Sequence, residues 1–301
     1  MATELHIHDG TNWRKTLSLY VRDSGIWRNC FKAYIHDGSS WRQCFRGTQW
    51  KTFTPSLNAG RACAYIGDTL YAGDSLGVYT INNSFTEIGA LTNVQYLLNF
   101  GGVLHAACND GVYSWDGSSW TELGALTSAN ALHSIGGVLH CASSNGVYSW
   151  DGSSWTAIGS ITSAQAITDI SGTIYIGIAA SVGVRYWTGV TWSAYGTIAD
   201  VESIINISGV LYAASDGTNT GVFYYNAGTW TELGSLSATY ALIDIGGTLY
   251  SGGTSGVNYW DGSAWVNTGF TTGLNRDVYA LAATSTEIAS CAIQYASIKN
   301  L

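Results

Sequence analysis

Residues Gly111–Trp120 read GVYSWDGSSW, and Gly146–Trp155 read GVYSWDGSSW again. Weaker copies open at Gly77 (GVYTINNSF), Gly183 (GVRYWTGVTW), Gly221 (GVFYYNAGTW) and Gly256 (GVNYWDGSAW), so the opening glycines stand 34, 35, 37, 38 and 35 residues apart. A fixed period of this length marks an array of one supersecondary unit, each copy burying its apolar face against the next.

One unit resolves into four short apolar runs. Between Leu123 and Trp155 these are ALHSI, VLHCA, GVYSW and WTAIG, separated by Gly136-Gly137, by Ser and Asn145, and by Asp151-Gly152-Ser153-Ser154. Gly-Gly and Asp-Gly between β-rich runs are hairpin signals, because such turns need positive φ. Each unit therefore predicts a four-stranded antiparallel sheet.

The outermost run starts at Trp50, Phe85, Trp120, Trp155, Trp192, Trp230 and Trp265. The second run is marked by Leu70, Leu104, Leu139, Ile174, Leu211, Leu249 and Ile288. The array opens on a lone outer run, Trp50-Lys51-Thr52-Phe53, and closes on inner runs without an outer one. The expected fold is all-β: a seven-bladed β-propeller over residues 47–301, closed by that N-terminal outer strand. Closure also removes sheet edges that an open array would expose.

Residues 1–46 carry a different repeat, of period 14: IHDGTNWRK from Ile7, VRDSGIWRN from Val21 and IHDGSSWRQ from Ile35. Strand, Asp turn and Trp-Arg strand recur, which predicts a small β-meander module. Charge divides the same way. Residues 1–46 hold seven Lys or Arg against four Asp or Glu, a net of +3; residues 47–301 hold five against sixteen, a net of −11. An acidic propeller argues against nucleic acid, and a basic module suits an acidic docking partner. Charged residues are only 11% of the chain, well under the usual quarter, so Ser, Thr, Asn and Gly carry the surface. Met1-Ala2-Thr3-Glu4 leads into a polar stretch, so no signal peptide is expected, and no run reaches membrane-spanning length. Of six cysteines, Cys30 and Cys44 would lie two strands apart in a meander, beyond disulfide reach. Buried free thiols are the expectation.

The search for catalytic chemistry is negative. His105 and His140 occupy the place of Tyr71, Tyr175, Tyr212 and Tyr250 in other copies, so they read as packed aromatic substitutes. The Asp of each Trp-Asp-Gly turn (Asp116, Asp151 and Asp261) reads as a turn former. Trp120, Trp155, Trp192, Trp230 and Trp265 read as packing between blades. No nucleophile elbow, phosphate loop or metal-ligand spacing occurs, so neither cofactor nor metal is expected.

One column stands out because its copies disagree. At the start of each innermost strand lie Arg61, Gln95, Asn130, Gln165, Glu202, Tyr240 and Tyr279, while two residues on the column is mostly Leu or Ile. These seven are expected to ring the mouth of the central channel as a ligand-contacting rim. The loops between second and third strands belong on the same face, and binding residues concentrate in such loops. Asp216 and Asn219, in the longer loop SDGTNT, are the candidates there.

The unit resembles a shortened kelch repeat. Gly246-Gly247-Thr248-Leu249-Tyr250, then Tyr259-Trp260-Asp261-Gly262 and Trp265, follow the kelch order across roughly residues 47–301. The Asp-Gly-x-x-Trp-Arg repeat of residues 1–46 is similar to short repeats of bacteriophage tail-associated proteins. Together the resemblances imply a non-enzymatic virion protein, made in the host cytoplasm and placed in the tail. Residues 1–46 would attach it to other virion proteins, with homo-oligomerisation in the particle, no nucleic acid and no membrane insertion. The propeller would bind a host surface glycan or receptor. A lectin-like propeller outside a virion and a polysaccharide-processing enzyme are the rival readings; the latter needs converging acids, which the sequence spreads among turns.

Overall fold

In a computed structural model, the described residues are the strands between residues 6 and 52 and, from Leu57 on, all but 58–59, 82–84, 180–182, 269–276, 285–286, 293–294 and 301. Side chains are described from Leu57 to Ser290, outside those gaps and residue 287.

Each copy of the long repeat folds as four consecutive antiparallel strands, ordered from the inside of the ring to the outside. Val94–Phe100, Val103–Cys108, Val112–Trp115 and Trp120–Glu122 form one such blade. Blades of the same order begin at Ala62, Ala129, Ala164, Val201 and Thr239. A further four-stranded sheet consists of Val278–Ala283, Glu287–Ala292, Tyr295–Asn300 and, on its outside, Trp50–Thr52, with Lys299 opposite Trp50. Its inner strand lies between those starting at Thr239 and Ala62, which closes the ring.

The expected count of seven blades is corrected accordingly. Six blades are made by the repeat, each from one stretch of chain; the sheet that closes the ring is a composite, not a seventh copy of that unit. The free edge of Tyr295–Asn300 is covered by a strand from ahead of the first blade, as an exposed ladder edge requires. The meander is corrected too. Residues 6–46 form three separate hairpins: His6–His8 with Trp13–Lys15, Leu19–Asp23 with Ile26–Cys30, and Lys32–His36 with Trp41–Arg46. Each period of 14 supplies two strands that pair with each other. Cys30, Cys44 and Cys291 have side chains outside the described residues.

Packing between blades follows from residue size. Leu70, Leu104, Leu139 and Leu211 of the second strands are each 1% exposed, a burial that stabilises by about 1.5–3 kcal/mol apiece. The valine after each GV glycine, from Val78 to Val257, is also fully buried. A small residue late in each second strand faces the first residue of the next inner strand. A Cβ on Gly73 would come 2.6 Å from Val94 Cγ1, and one on Gly252 would come 2.6 Å from Val278 Cγ1; Gly177 opposes Val201 likewise. The corresponding residues elsewhere are Ala107 with Ala129 and Ala142 with Ala164, each pair within one core cluster. Glycine meets valine and alanine meets alanine, so the larger side chain on one strand is matched by the smaller residue opposite.

The outer strands interlock through W-x-x-x-G. The indole Nε1 of Trp120 donates to Ile88 O at 2.6 Å, Trp192 to Ile158 O at 2.8 Å, and Trp230 to Tyr195 O at 2.7 Å. Trp155 and Trp265 donate to Leu123 O and Leu233 O in the same way. Each acceptor directly precedes the motif's glycine in the preceding blade. There Gly89 (φ +69) lies under Trp120, and a Cβ would sit 2.7 Å from its ring. Trp120, Trp155, Trp192, Trp230 and Trp265 thus each reach back to the glycine that ends the outer run before.

Candidate functional site at the channel mouth

The leading ends of six inner strands are irregular in the same way. Pairing with the second strand slips by one residue between Val94 and Tyr96, Ala129 and Ala131, Ala164 and Ala166, Val201 and Ser203, Thr239 and Ala241, and Val278 and Ala280. The residue left over is Gln95, Asn130, Gln165, Glu202, Tyr240 or Tyr279. A bulge sets two residues against one and re-aims the extra side chain away from the strand's alternation. In the first blade Arg61 leads the strand, its amide donating to Gly73 O at 3.1 Å. Two residues ahead of the bulges, Asn93, Ser128, Ser163 and Asp200 take positive φ (53, 55, 61 and 45°) and turn the chain into the strand.

All seven expected rim residues line one cavity of about 260 Å³. Beneath them Cys63, Leu97, Ile167, Ile204, Leu242 and Leu281 form an apolar collar. The loops between second and third strands share this face. Asn93 N donates to Ser75 O at 3.0 Å, Ser128 N to Asn109 O at 2.7 Å, and Ser163 N to Ser144 O at 2.8 Å.

The rim has two chemically different sides. On one, Gln95, Asn130 and Gln165 present amides. Asn130 Nδ2 donates to Ala164 O at 2.8 Å and to Ser144 Oγ at 3.2 Å, and Gln95 Nε2 donates to Asn93 O at 3.3 Å. On the other, the Tyr240 and Tyr279 rings lie 4.5 Å apart and both hydroxyls donate to Asp277 Oδ2 at 3.4 Å. The Arg61 guanidinium stands 5.6 Å from the Tyr279 ring centre. Burial, then the negative charges of Asp216 and Asp200, push the Glu202 carboxyl up to about 7, with Arg61 opposing. Burial and Asp200 also raise Asp216.

Asp216 is therefore brought within electrostatic reach of Glu202, Tyr240 and Tyr279. Asn219 is exposed; its backbone carbonyl accepts the Ser215 hydroxyl, which ties it to its own loop. Neither loop residue lines the cavity itself. Asp200 and Asp277 are site residues that the sequence reading passed over. They sit two positions before Glu202 and Tyr279, so the column ahead of the rim was the signal. The acids are not merely spread among turns: Asp200, Glu202 and Asp216 converge.

The other candidates resolve into structure. Asp116 Oδ1 accepts from Ser118 N and Ser119 N, both at 2.7 Å, and Asp151 does the same in the next blade. These bonds hold both carboxyls far below the usual range. Asn226 departs from that pattern, since a two-residue turn, Ala227-Gly228, with positive φ at both follows it. His105 and His140 are buried, with Nδ1 3.1 and 3.0 Å from Val103 O and Val138 O, and burial lowers both. His133 Nε2 meets Asp169 Oδ1 at 3.2 Å near the tight-turn end of the channel. Cys63, Cys108 and Cys141 are free and buried, and burial pushes the Cys108 thiol up to about 12. Among the described residues no group of three or more His, Cys, Asp or Glu could hold a metal ion. No helix among them is long and apolar enough to cross a membrane.

The chain is a β-propeller. Its array of repeats is consistent with the kelch-like reading. No protein-family model matches it, and no curated protein matches it in sequence. Among solved structures, the extracellular domain of BT4673 from B. thetaiotaomicron superposes with a TM-score of 0.70 at 13% identity, over 83% of this chain and 40% of that one. A catalytically inactive virginiamycin B lyase from Staphylococcus aureus, with quinupristin, superposes at 0.67 and 10% identity, over 84% of this chain and 99% of that one. YCF48 bound to a peptide superposes at 0.64 and 12% identity, over 84% and 94%. At these identities the likeness establishes the fold alone, and one fold hosts many functions.

Proposed function

We propose that the propeller is a non-enzymatic binding module whose channel mouth takes a host surface glycan or receptor, and that residues 1–46 attach it to a bacteriophage tail. The observation that carries the reading is the bulged rim. Seven side chains of mixed chemistry, one from every sheet, line one cavity of about 260 Å³, six of them re-aimed by a bulge. The framework columns repeat from blade to blade, whereas this column differs at nearly every copy, which is how one ligand is recognised on a symmetric scaffold. The basic Asp-Gly-x-x-Trp-Arg hairpins support attachment of the module to an acidic partner.

Two measurements test the halves separately. Glycan-array binding by the full chain should be lost in the triple variant Gln95→Ala, Gln165→Ala, Tyr240→Ala; unchanged binding would remove the rim from the reading. Electron cryomicroscopy of particles should place the chain on the tail, and its absence from particles would remove the virion assignment.

A further inference from the structure

The third strands hold a second column whose copies disagree. Tyr79, Tyr113, Tyr148 and Phe223 occupy it in four blades, Arg185 and Asn258 in the other two. Each blade is entered by a linker whose apolar residue stands four positions ahead of the rim. Where the third strand supplies an aromatic ring, that residue (Leu57, Leu91, Leu126 or Ile198) shares its core cluster and is only 2–5% exposed. Ile161 and Leu236, in the blades of Arg185 and Asn258, are only partly buried. Asn258 closes its own blade: it is buried, donates to Ser255 Oγ at 2.9 Å and accepts from Asn267 Nδ2 at 3.2 Å. Around Arg185 the space stays open, as a cavity of about 400 Å³ between the linker Ser160–Ser163 and Trp192.

We propose that this cavity is a ligand site separate from the channel mouth, and that it takes a carboxylate-bearing sugar of an acidic glycan. The carboxylate lies on Arg185, and the sugar ring lies against Trp192 and Ile161. The site rests on the reading above only for the ligand being a glycan; the two cavities share no lining residue.

Three observations carry it. The cavity falls within the roughly 300–1,000 Å³ of small-molecule pockets, and its linker is fixed on both sides, Ser163 N donating to Ser144 O at 2.8 Å and Ala179 N to Ser163 O at 3.0 Å. The cation is left without the acid that the repeat elsewhere offers. Tyr79, Tyr113 and Phe223 face Glu87, Glu122 and Glu232 across the outer strand pair, whereas Arg185 faces Ala194. Among the described residues its guanidinium pairs with no carboxylate. The lining also matches an acidic sugar. A guanidinium fork fits a carboxylate in two parallel bonds, the indole and Ile161 offer an apolar wall, and Ser160, Thr162 and Ser163 offer hydroxyls that donate or accept. One cation on a propeller of net charge −11 suits a single negative charge rather than a phosphate dianion.

The test is calorimetric titration of the full chain, at low salt, with trigalacturonic acid and sialyllactose, each as the free acid and as its methyl ester. One or both acids should bind, and the ester of the binder should bind about tenfold or more weakly, since it cannot form the charged bonds to Arg185. Arg185→Tyr, which restores the residue of three other blades, and Ala194→Glu, which supplies the absent acid, should each weaken the acid by a similar factor. Both introduce residues that other blades carry at these positions, so urea unfolding midpoints should stay near that of the unsubstituted chain. The triple rim variant should leave the affinity unchanged. Equal binding of acid and ester, undiminished affinity in either Arg185→Tyr or Ala194→Glu, or binding of neither acid overturns the proposal. Loss in the triple rim variant with Arg185→Tyr unaffected places the acidic sugar at the channel mouth, which overturns this site while the reading above stands.

Discussion

The outer strands and the leading ends of the inner strands are built by the same repeat and answer to opposite demands. On the outside, Trp120, Trp155, Trp192, Trp230 and Trp265 do the same job: each reaches back to a carbonyl of the preceding blade and covers a glycine there. On the inside, the same register in every blade holds Arg61, Gln95, Asn130, Gln165, Glu202, Tyr240 or Tyr279, and each faces the same cavity. Identity between copies marks where blade meets blade. Difference marks where all the blades meet something else. The rim can vary because a bulged residue hands its ladder pairing to its neighbours, so its side chain is not tied to the packing.

That contrast can be broken from either side, and the expected effects on folding run from large to small. Trp155→Ala removes a half-buried indole, its bond to Leu123 O and its contact with Trp150 at 5.2 Å. It should cost about 3 kcal/mol, measured by urea unfolding. Gly252→Ala pushes a methyl group into Val278 and should cost about 1–3 kcal/mol. Adding Val278→Ala should restore most of that loss, since the Ala–Ala pairs show that the smaller couple fits; a double-mutant cycle with no coupling would refute the volume matching.

Glu202 sharpens the contrast through pH. Its folded pKa, about 7, lies above the unfolded 4.5. Its contribution to stability is therefore fully present below about pH 4.5 and is lost as pH rises through 7. Glu202→Gln should flatten the decline between pH 5 and 8 by on the order of 1 kcal/mol, read as the difference between the two proteins. Asp151 works in the opposite sense. Its carboxyl is held below 3.8 by the Ser153 and Ser154 amides and hydroxyls, so its contribution is present above that value and is lost as pH falls through the folded pKa. Asp151→Asn should lower the unfolding midpoint slightly at neutral pH and lessen the further loss in acid. The triple rim variant should change stability least, by about 0.5 kcal/mol or less per site, while abolishing ligand binding. A large loss of stability there would mean that the rim is framework after all.

Much of this was legible beforehand because a strand's partners lie close in sequence. Gly136-Gly137 and Asp151-Gly152 set the turns, and the Leu139 and Val147 columns set the buried faces, all within one repeat. The rim column was legible because its polarity interrupts an otherwise apolar register. The pairing of Trp50–Thr52 on the outside of the last sheet was legible too, since a lone outer run at one end of the array and inner runs without one at the other call for each other. The division of residues 6–46 into separate hairpins was hidden because a period of 14 fits a meander equally well. Asp200 and Asp277 escaped notice because acids just ahead of a strand read as ordinary turn residues; what makes them site residues is the approach of Asp216 from a loop and of Tyr240 from a neighbouring sheet.

The sequence alone determined the repeat, the strands within it, the interlocking tryptophans and the ring of rim residues, because each of these depends on local pairing copied at a fixed spacing. Only the tertiary structure decided that six of the rim residues are bulged, that six blades rather than seven are built by the repeat, and that Asp200, Glu202 and Asp216 share one side of the mouth. Those facts depend on closure of the ring, which brings together positions that no local ladder relates and confines their charges where water screens them poorly.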